Sequence, residues 1–327
     1  MNVGRPARTA ARFVALGCAL ALQGAPAQSD AARSNVRLLL ASAPQSRYAG
    51  YYLALDRGIY RRAGVDVEIV SSGRGDDRLR WLREGKADVA LFDLTEALRA
   101  QNDGVALVCV GQIVGRSTVA IVAWKDRGIT QLGDLDRRRL CSRDRFLPAV
   151  RALMAANHLQ PVFVPQYDTL NLFLQRGVDA CTVTNYDEYH QLNQAGIDDG
   201  QLSCFALADA GIDLPEDGLY ALRQDRTRLA AAAPALASAS LAGWQYAADH
   251  PDEALGAVMR RVREQRVLTN EAHMRWMLAR IVPSILPGAA AGPQRGALSR
   301  QSFTVACDWL VRLGLLRQAP AYEDFVW

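Results

Sequence analysis

Strand and helix signals alternate along this chain in two separate series, and that alternation restricts its fold more than any compositional figure. Val36-Arg37-Leu38-Leu39-Leu40 predicts a buried strand, and Tyr48 to Arg62 a helix closed by Gly64, where glycine readily takes the left-handed cap conformation. Val65 to Val70 alternates apolar and polar residues with period two, as a half-buried strand does. Asp76 to Glu84 predicts a helix stopped by Gly85, and Asp88 to Phe92 a third strand. A βαβαβ series of this kind requires a mostly parallel sheet with helices over its faces.

Val105 to Gly111 and Ser117 to Trp124 predict two further strands, and Gly128 to Asp136 a connector. A second series follows: a strand at Arg139 to Cys141, a helix at Phe146 to Asn157, a strand at Pro161 to Pro165, a helix near Leu170 to Gly177, and a strand at Ala180 to Thr184. Residues 225–316 read as helices, including an Ala-rich stretch at 229–248 whose alanines favour helix intrinsically, and Ala289 to Gly296 reads as a surface loop. The order is one α/β lobe, a second lobe, then a helical return. Two chain crossings between lobes make a hinge with a cleft beside it.

The N-terminus decides the expected compartment. Arg5, Arg8 and Arg12 precede an apolar run from Phe13 to Leu22, followed by Ala25-Pro26-Ala27, a small-x-small cleavage pattern, and no acid occurs before Asp30. The run is too short to span a bilayer and suits a signal peptide over 1–27, which implies export to the periplasm. A lipoprotein anchor at Cys18 is disfavoured, because Ala15-Leu16-Gly17 lacks the usual leucine and apolar residues continue beyond the cysteine. Setting 1–27 aside removes three arginines and lowers the formal charge from +4 to +1, which gives no case for nucleic acid or an anionic membrane. Five cysteines then remain, so at least one is unpaired, and none shows CxxC or Cys/His metal spacing. Cys181 and Cys204 lie on neighbouring predicted strands and either pair in an oxidising compartment or stay as buried thiols.

Several stretches stand out in order: Tyr48-Ala49-Gly50-Tyr51-Tyr52-Leu53-Ala54, the run Arg57 to Val67, Gly85-Lys86-Ala87-Asp88, Gly177-Val178-Asp179-Ala180 and Tyr186-Asp187-Glu188-Tyr189. Leu214 to Leu219, Leu241-Ala242-Gly243-Trp244 and His250-Pro251-Asp252-Glu253-Ala254 complete the series. Together they resemble the periplasmic solute-binding family that includes thiamine-pyrimidine precursor binders and sulfonate- and taurine-type relatives. The resemblance implies an α/β, two-lobed type II periplasmic-binding fold, each lobe a mostly parallel sheet flanked by helices, with a helical C-terminal portion. Lobe one is expected at 34–123 plus 213–327 and lobe two at 124–212. The implied activity is capture of a small-molecule ligand, pyrimidine-like in the thiamine-precursor binders, by a monomer that delivers it to an ABC permease and ATPase. Pyrimidine-binding relatives place a stacking tryptophan just after the first strand; here Ser42 holds that position. That departure weakens the pyrimidine assignment and leaves the transport role intact.

In open parallel sheets ligands sit beyond the carboxyl ends of the strands. Ser46, Tyr48 and Tyr51, Asp93 and Ser117 in lobe one, and Thr184, Tyr186 and Glu188 in lobe two, are the expected ligand-binding residues by this rule. Tyr48 and Tyr51 serve equally as core aromatics, and Tyr52 reads as core. Asp93 and Asp187 serve equally as helix caps. Glu188 is the strongest candidate, a carboxylate able to accept from ligand amines. Arg47 and Arg143 either clamp an anion or face solvent. A sensor that presents its ligand to a separate kinase or cyclase is the alternative. Fungal pyrimidine-phosphate synthases share the implied fold. Those enzymes use a cofactor-bearing lysine, a donor histidine and clustered cysteines, whereas Lys86, Lys125 and the four scattered histidines match none of these contexts. No catalytic residue, metal or cofactor is expected.

Overall fold

The computed structural model describes residues 1–2, 4, 34–71, 77–286 and 295–327. The expected signal peptide, Cys18 and most of the 289–296 loop lie outside the described residues. Residues 33–327 form one compact unit.

Two five-stranded sheets organise that unit. In chain order the strands are β1 (Ser34–Leu40), β2 (Val65–Ser71), β3 (Val89–Phe92), β4 (Leu107–Gln112), β5 (Val119–Trp124), β6 (Arg139–Ser142), β7 (Val162–Pro165), β8 (Ala180–Thr184), β9 (Leu202–Ala206) and β10 (Gly218–Leu222). The α-helices are α1 (Ala49–Asp56), α2 (Ile59–Arg62), α3 (Arg78–Arg83), α4 (Leu94–Ala100), α5 (Leu147–Ala156), α6 (Asn171–Leu174), α7 (Glu188–Gln194), α8 (Ala232–Asp249), α9 (Pro251–Glu264), α10 (Glu271–Ile285), α11 (Arg300–Arg312) and α12 (Tyr322–Phe325).

The sheet orders are β2-β1-β3-β10-β4 and β7-β6-β8-β5-β9. Each sheet is parallel except for its fourth strand, β10 in the first and β5 in the second, which runs antiparallel to both neighbours. The second sheet is thus built from the consecutive strands β5 to β9, whereas the first takes in the late strand β10. β5 is the first strand after the outward crossing, and β10 is the first after the return. The lobe boundary expected near 123 moves accordingly. Val119 to Trp124 pairs with β8 and β9, so this strand belongs to the second lobe.

Local chemistry accounts for most element ends. The helix expected over 48–62 is broken at Gly58, whose φ of 63° places it in the left-handed region and turns α1 into α2. Asp77, Asn270 and Ser299 cap α3, α10 and α11, each accepting a backbone N–H of the first turn. Pro251 opens α9, with Asp252 and Glu253 in its first turn and Arg261 and Arg263 in its last, each sign matching the helix dipole.

Alternation along β1 builds the core. Val36, Leu38 and Leu40 face α1, α8 and α9 and their neighbours, while Leu39 faces the opposite layer. Helices α1 and α8 meet almost backbone to backbone. A Cβ on Gly243 would lie 2.2 Å from the Gly50 carbonyl oxygen, and one on Gly50 would lie 2.3 Å from the Trp244 ring. In the second lobe, Trp124 stacks on Phe173 with centroids 4.6 Å apart. No described helix is long and apolar enough to cross a membrane.

Of the two readings left open for Cys181 and Cys204, the pairing does not occur. Both residues align with Val122, Cys181 from β8 and Cys204 from β9, so the whole of β5 separates them. Two strand spacings amount to about 10 Å, beyond the reach of a disulfide. Cys109, Cys141, Cys181 and Cys307 are buried free thiols, and Cys204 is an exposed one.

Candidate functional site

Two crossing segments, 113–118 outward and 207–217 on return, run side by side between the lobes. Val114 donates its N–H to the Asp217 carbonyl at 3.0 Å, and Glu216 donates to the Val114 carbonyl at 3.1 Å. The Glu216 carboxylate accepts the hydroxyls of Ser117 at 3.0 Å and Thr118 at 2.6 Å. Ser117 thus belongs to the paired crossings and is not among the residues lining the cleft described next.

A cleft of about 720 Å³ opens beside this hinge. It collects the carboxyl ends of strands from both lobes: Ala41 to Gln45 after β1, Arg143 and Arg145 after β6, and Thr184 to Glu188 after β8. Helix α10 supplies His273, Met274 and Met277 as a further wall.

The expected residues divide sharply. Thr184, Tyr186 and Glu188 line the cleft, whereas Ser46, Tyr48, Tyr51, Asp93 and Ser117 do not. Tyr48, Tyr51 and Tyr52 are core aromatics: Tyr48 meets Tyr52 edge-on at 6.4 Å, and Tyr51 meets Trp244 at 6.0 Å. The Tyr48 hydroxyl is held by Ser42 Oγ at 2.9 Å, so the serine standing where relatives carry tryptophan anchors the loop after β1.

Glu188 is 1% exposed, and its carboxylate is already committed. It accepts the Thr184 N–H at 2.8 Å and hydroxyl at 2.6 Å, and it pairs with Arg143 at 2.8 Å. The expectation that it receives ligand amines therefore gives way to a positioning role. It stiffens the β8–α7 turn and fixes a guanidinium beside the cleft.

Four arginines, Arg47, Arg78, Arg143 and Arg145, line the cleft. Arg47, expected to be a clamp or a solvent-facing side chain, is 6% exposed. It donates to the Tyr186 hydroxyl at 3.1 Å across the lobes and pairs with Asp217 at 3.5 Å. Burial opposes its charge, but Asp217, Tyr48, Tyr186 and Asp93 together raise its pKa well above the ordinary value. Arg145 reaches Asp93 at 3.3 Å. Burial pushes the Asp93 carboxyl up to about 8 even though Arg145 opposes the shift. Asp93 also occupies the cap position of α4, where its N–H donates to Glu96 at 3.0 Å.

Spare hydrogen-bonding capacity at these arginines lies on donors. Arg47 Nε, Arg143 Nε, and Arg145 Nε and Nη2 are buried without a hydrogen-bond partner, and Asp93 Oδ1 is a buried acceptor in the same condition. Sequence reasoning missed Arg145, Asp217 and the contribution of α10. Arg145 stands two residues beyond the named Arg143, so the strand-end rule could have found it. Nothing in the local sequence ties α10 to a cleft built by strands far from it in the chain.

The family described as NMT1/THI5 like matches residues 45–254. In Schizosaccharomyces pombe, 4-amino-5-hydroxymethyl-2-methylpyrimidine phosphate synthase is 26% identical over 89 residues, a match spanning 27% of this chain and 26% of that protein. The periplasmic aliphatic sulphonate binding protein SsuA from Escherichia coli superposes with a TM-score of 0.68 at 13% identity, covering 90% of this chain and 92% of that one. The alkanesulfonate-binding protein SsuA from Xanthomonas axonopodis pv. citri, bound to MOPS, gives 0.65 at 16% identity over 90% and 98%. The two sheets, each with an antiparallel fourth strand, and the cleft are the periplasmic-binding fold that ABC-import solute-binding proteins use.

Proposed function

The chain belongs to the NMT1/THI5-like family, and from that premise we propose that it is an exported solute-binding protein. It captures a small molecule between its lobes as a monomer and offers the closed form to an ABC permease and its ATPase. The observation that carries this reading is the cleft itself: about 720 Å³ between two lobes joined by paired crossings, the geometry of hinge closure around a solute.

The ligand is a small solute rich in hydrogen-bond acceptors, such as a sulfonate, carboxylate or phosphate ester. Buried donors without acceptors cost free energy, about 1–3 kcal/mol each, so a ligand that supplies acceptors gains most here. The sulfonate binders named above agree with this class. Glu188, the carboxylate expected to receive a pyrimidine amine, is occupied by Thr184 and Arg143. Binding without turnover is favoured over the synthase activity of the fungal relative. Neither lysine lines the cleft: Lys86 pairs with Glu84 at 2.7 Å on the surface, and Lys125 is exposed. Presentation to a kinase or cyclase uses the same closed form and differs only in the partner.

A thermal-shift panel tests the reading. Alkanesulfonates, dicarboxylates and phosphate esters are compared with aminopyrimidines on the purified chain. An acceptor-rich solute at a hundred times its dissociation constant adds about 2.7 kcal/mol of stability. Stabilisation by aminopyrimidines alone overturns the ligand class, and conversion of a bound compound by the pure protein overturns the binding role.

A further inference from the structure

One contact between the lobes involves neither the hinge nor the arginines. His273, in the first turn of α10, directs Nε2 at Asp187 Oδ1 at 2.9 Å, and its Nδ1 faces His190 Nδ1 of α7 at 2.8 Å. The two imidazoles are parallel within 3°. His190 lies flat on Trp276 at 4.7 Å, and Trp276 donates its indole N–H to the Asn185 carbonyl at 3.1 Å. His273 and Trp276, one turn apart on α10, thus hold the β8–α7 corner of the second lobe.

Proton counting shows what this arrangement tolerates. Burial raises the Asp187 carboxyl, but His273, Gln191 and Arg143 outweigh it and hold the group below its ordinary value, so it accepts. His273 therefore carries a proton on Nε2. A single further proton between the facing Nδ1 atoms completes the bond, whichever ring owns it. A second proton there sets two N–H groups head to head at 2.8 Å. We propose that His190 and His273 form a proton-operated latch between the lobes, shut while one proton is shared between them and released when both rings are fully protonated.

The surroundings are consistent with this. The charged groups facing the pair are Asp187 and Arg143 of the second lobe and, from α10, Arg280, whose guanidinium lies 4.5 Å over the Trp276 ring. Gln191, Gln194 and Asn270 fill the rim without charge; Gln194 donates to Asn270 at 3.5 Å. Burial first, and then the charge of His273, lower the His190 pKa in the shut form. A base whose pKa is depressed on closing favours the shut form above its open-state value and opposes it below. The shut form therefore loses ground as the pH falls below the ordinary histidine value of about 6.5.

Small-angle X-ray scattering on the full chain without added solute reads the latch, so its outcome is separate from the solute-binding proposal. Between pH 7.5 and 5.5 the shut-to-open ratio falls about tenfold, seen as a rise in radius of gyration. His190→Gln and His273→Gln, checked for folding by circular dichroism, lose the pH dependence. A radius that stays constant in the unaltered chain, or a rise that persists in both variants, overturns the latch. In the unaltered chain, imidazole 15N spectra at pH 7.5 show a coupling between the two Nδ1 nuclei across the shared proton. The absence of that coupling also overturns the latch.

Discussion

Arg145 of the second lobe meets the buried carboxyl of Asp93 in the first, Nε to Oδ2 at 3.3 Å. The contact joins the loop after β6 to the cap of α4. It also leaves Asp93 Oδ1 without a partner in a site shielded from water.

Burial pushes Asp93 up to about 8, so between the unfolded carboxyl value near 3.9 and this value the folded chain holds a proton that the unfolded chain lacks. Stability from this group is complete below 3.9 and is lost as the pH rises through 8. Melting curves of the native chain and Asp93→Asn are expected to show the native protein losing at least ~1.4 kcal/mol relative to the variant between pH 4 and pH 8. A constant difference across that range contradicts the shift.

Arg47 and Asp217 are 6% and 5% exposed, so neither can turn to water when its partner is removed. Arg47→Met is expected to cost about 3–5 kcal/mol in denaturant unfolding, because it strands a buried carboxylate. Adding Asp217→Leu should recover part of that loss. A double variant as unstable as the sum of the two singles would show that the two groups act independently.

Gly243→Ala places a methyl group 2.2 Å from the Gly50 carbonyl oxygen, which neither helix can yield without moving backbone. A loss of about 1–3 kcal/mol or more is expected from thermal melting. Gly256, where an added Cβ meets nothing within 4 Å, serves as the control and should tolerate alanine.

Of the five cysteines at 109, 141, 181, 204 and 307, Cys204 alone is exposed. Native alkylation is expected to label one of these five thiols, with the others reacting only after unfolding. Recovery of a Cys181–Cys204 disulfide by peptide mapping would contradict the strand order.

Much of the fold was legible because each strand and helix carries its own periodicity. The pairing of β5 was not. Val119 to Trp124 is buried at every position, so its sequence says strand without saying which sheet. Gly218 to Leu222, also buried throughout, received no strand assignment, although it is the strand that closes the first sheet. At the site, Thr184, Tyr186 and Glu188 were found by the strand-end rule, but the rule could not tell a carboxylate facing a ligand from one consumed by its own turn. Tyr48 and Tyr51 follow a strand end equally well, and helix geometry turns them inward. His273 and Met277 belong to a helix far along the chain, which only tertiary packing brings to the cleft.

The late strand of the first sheet constrains how the chain is made. Until Gly218 to Leu222 emerges, β3 and β4 have no partner between them, and the opening hundred residues cannot finish their own half. A chain growing from its N-terminus therefore leaves its first sheet open until about two thirds of it exists, and that sheet sets only when the late strand slots home.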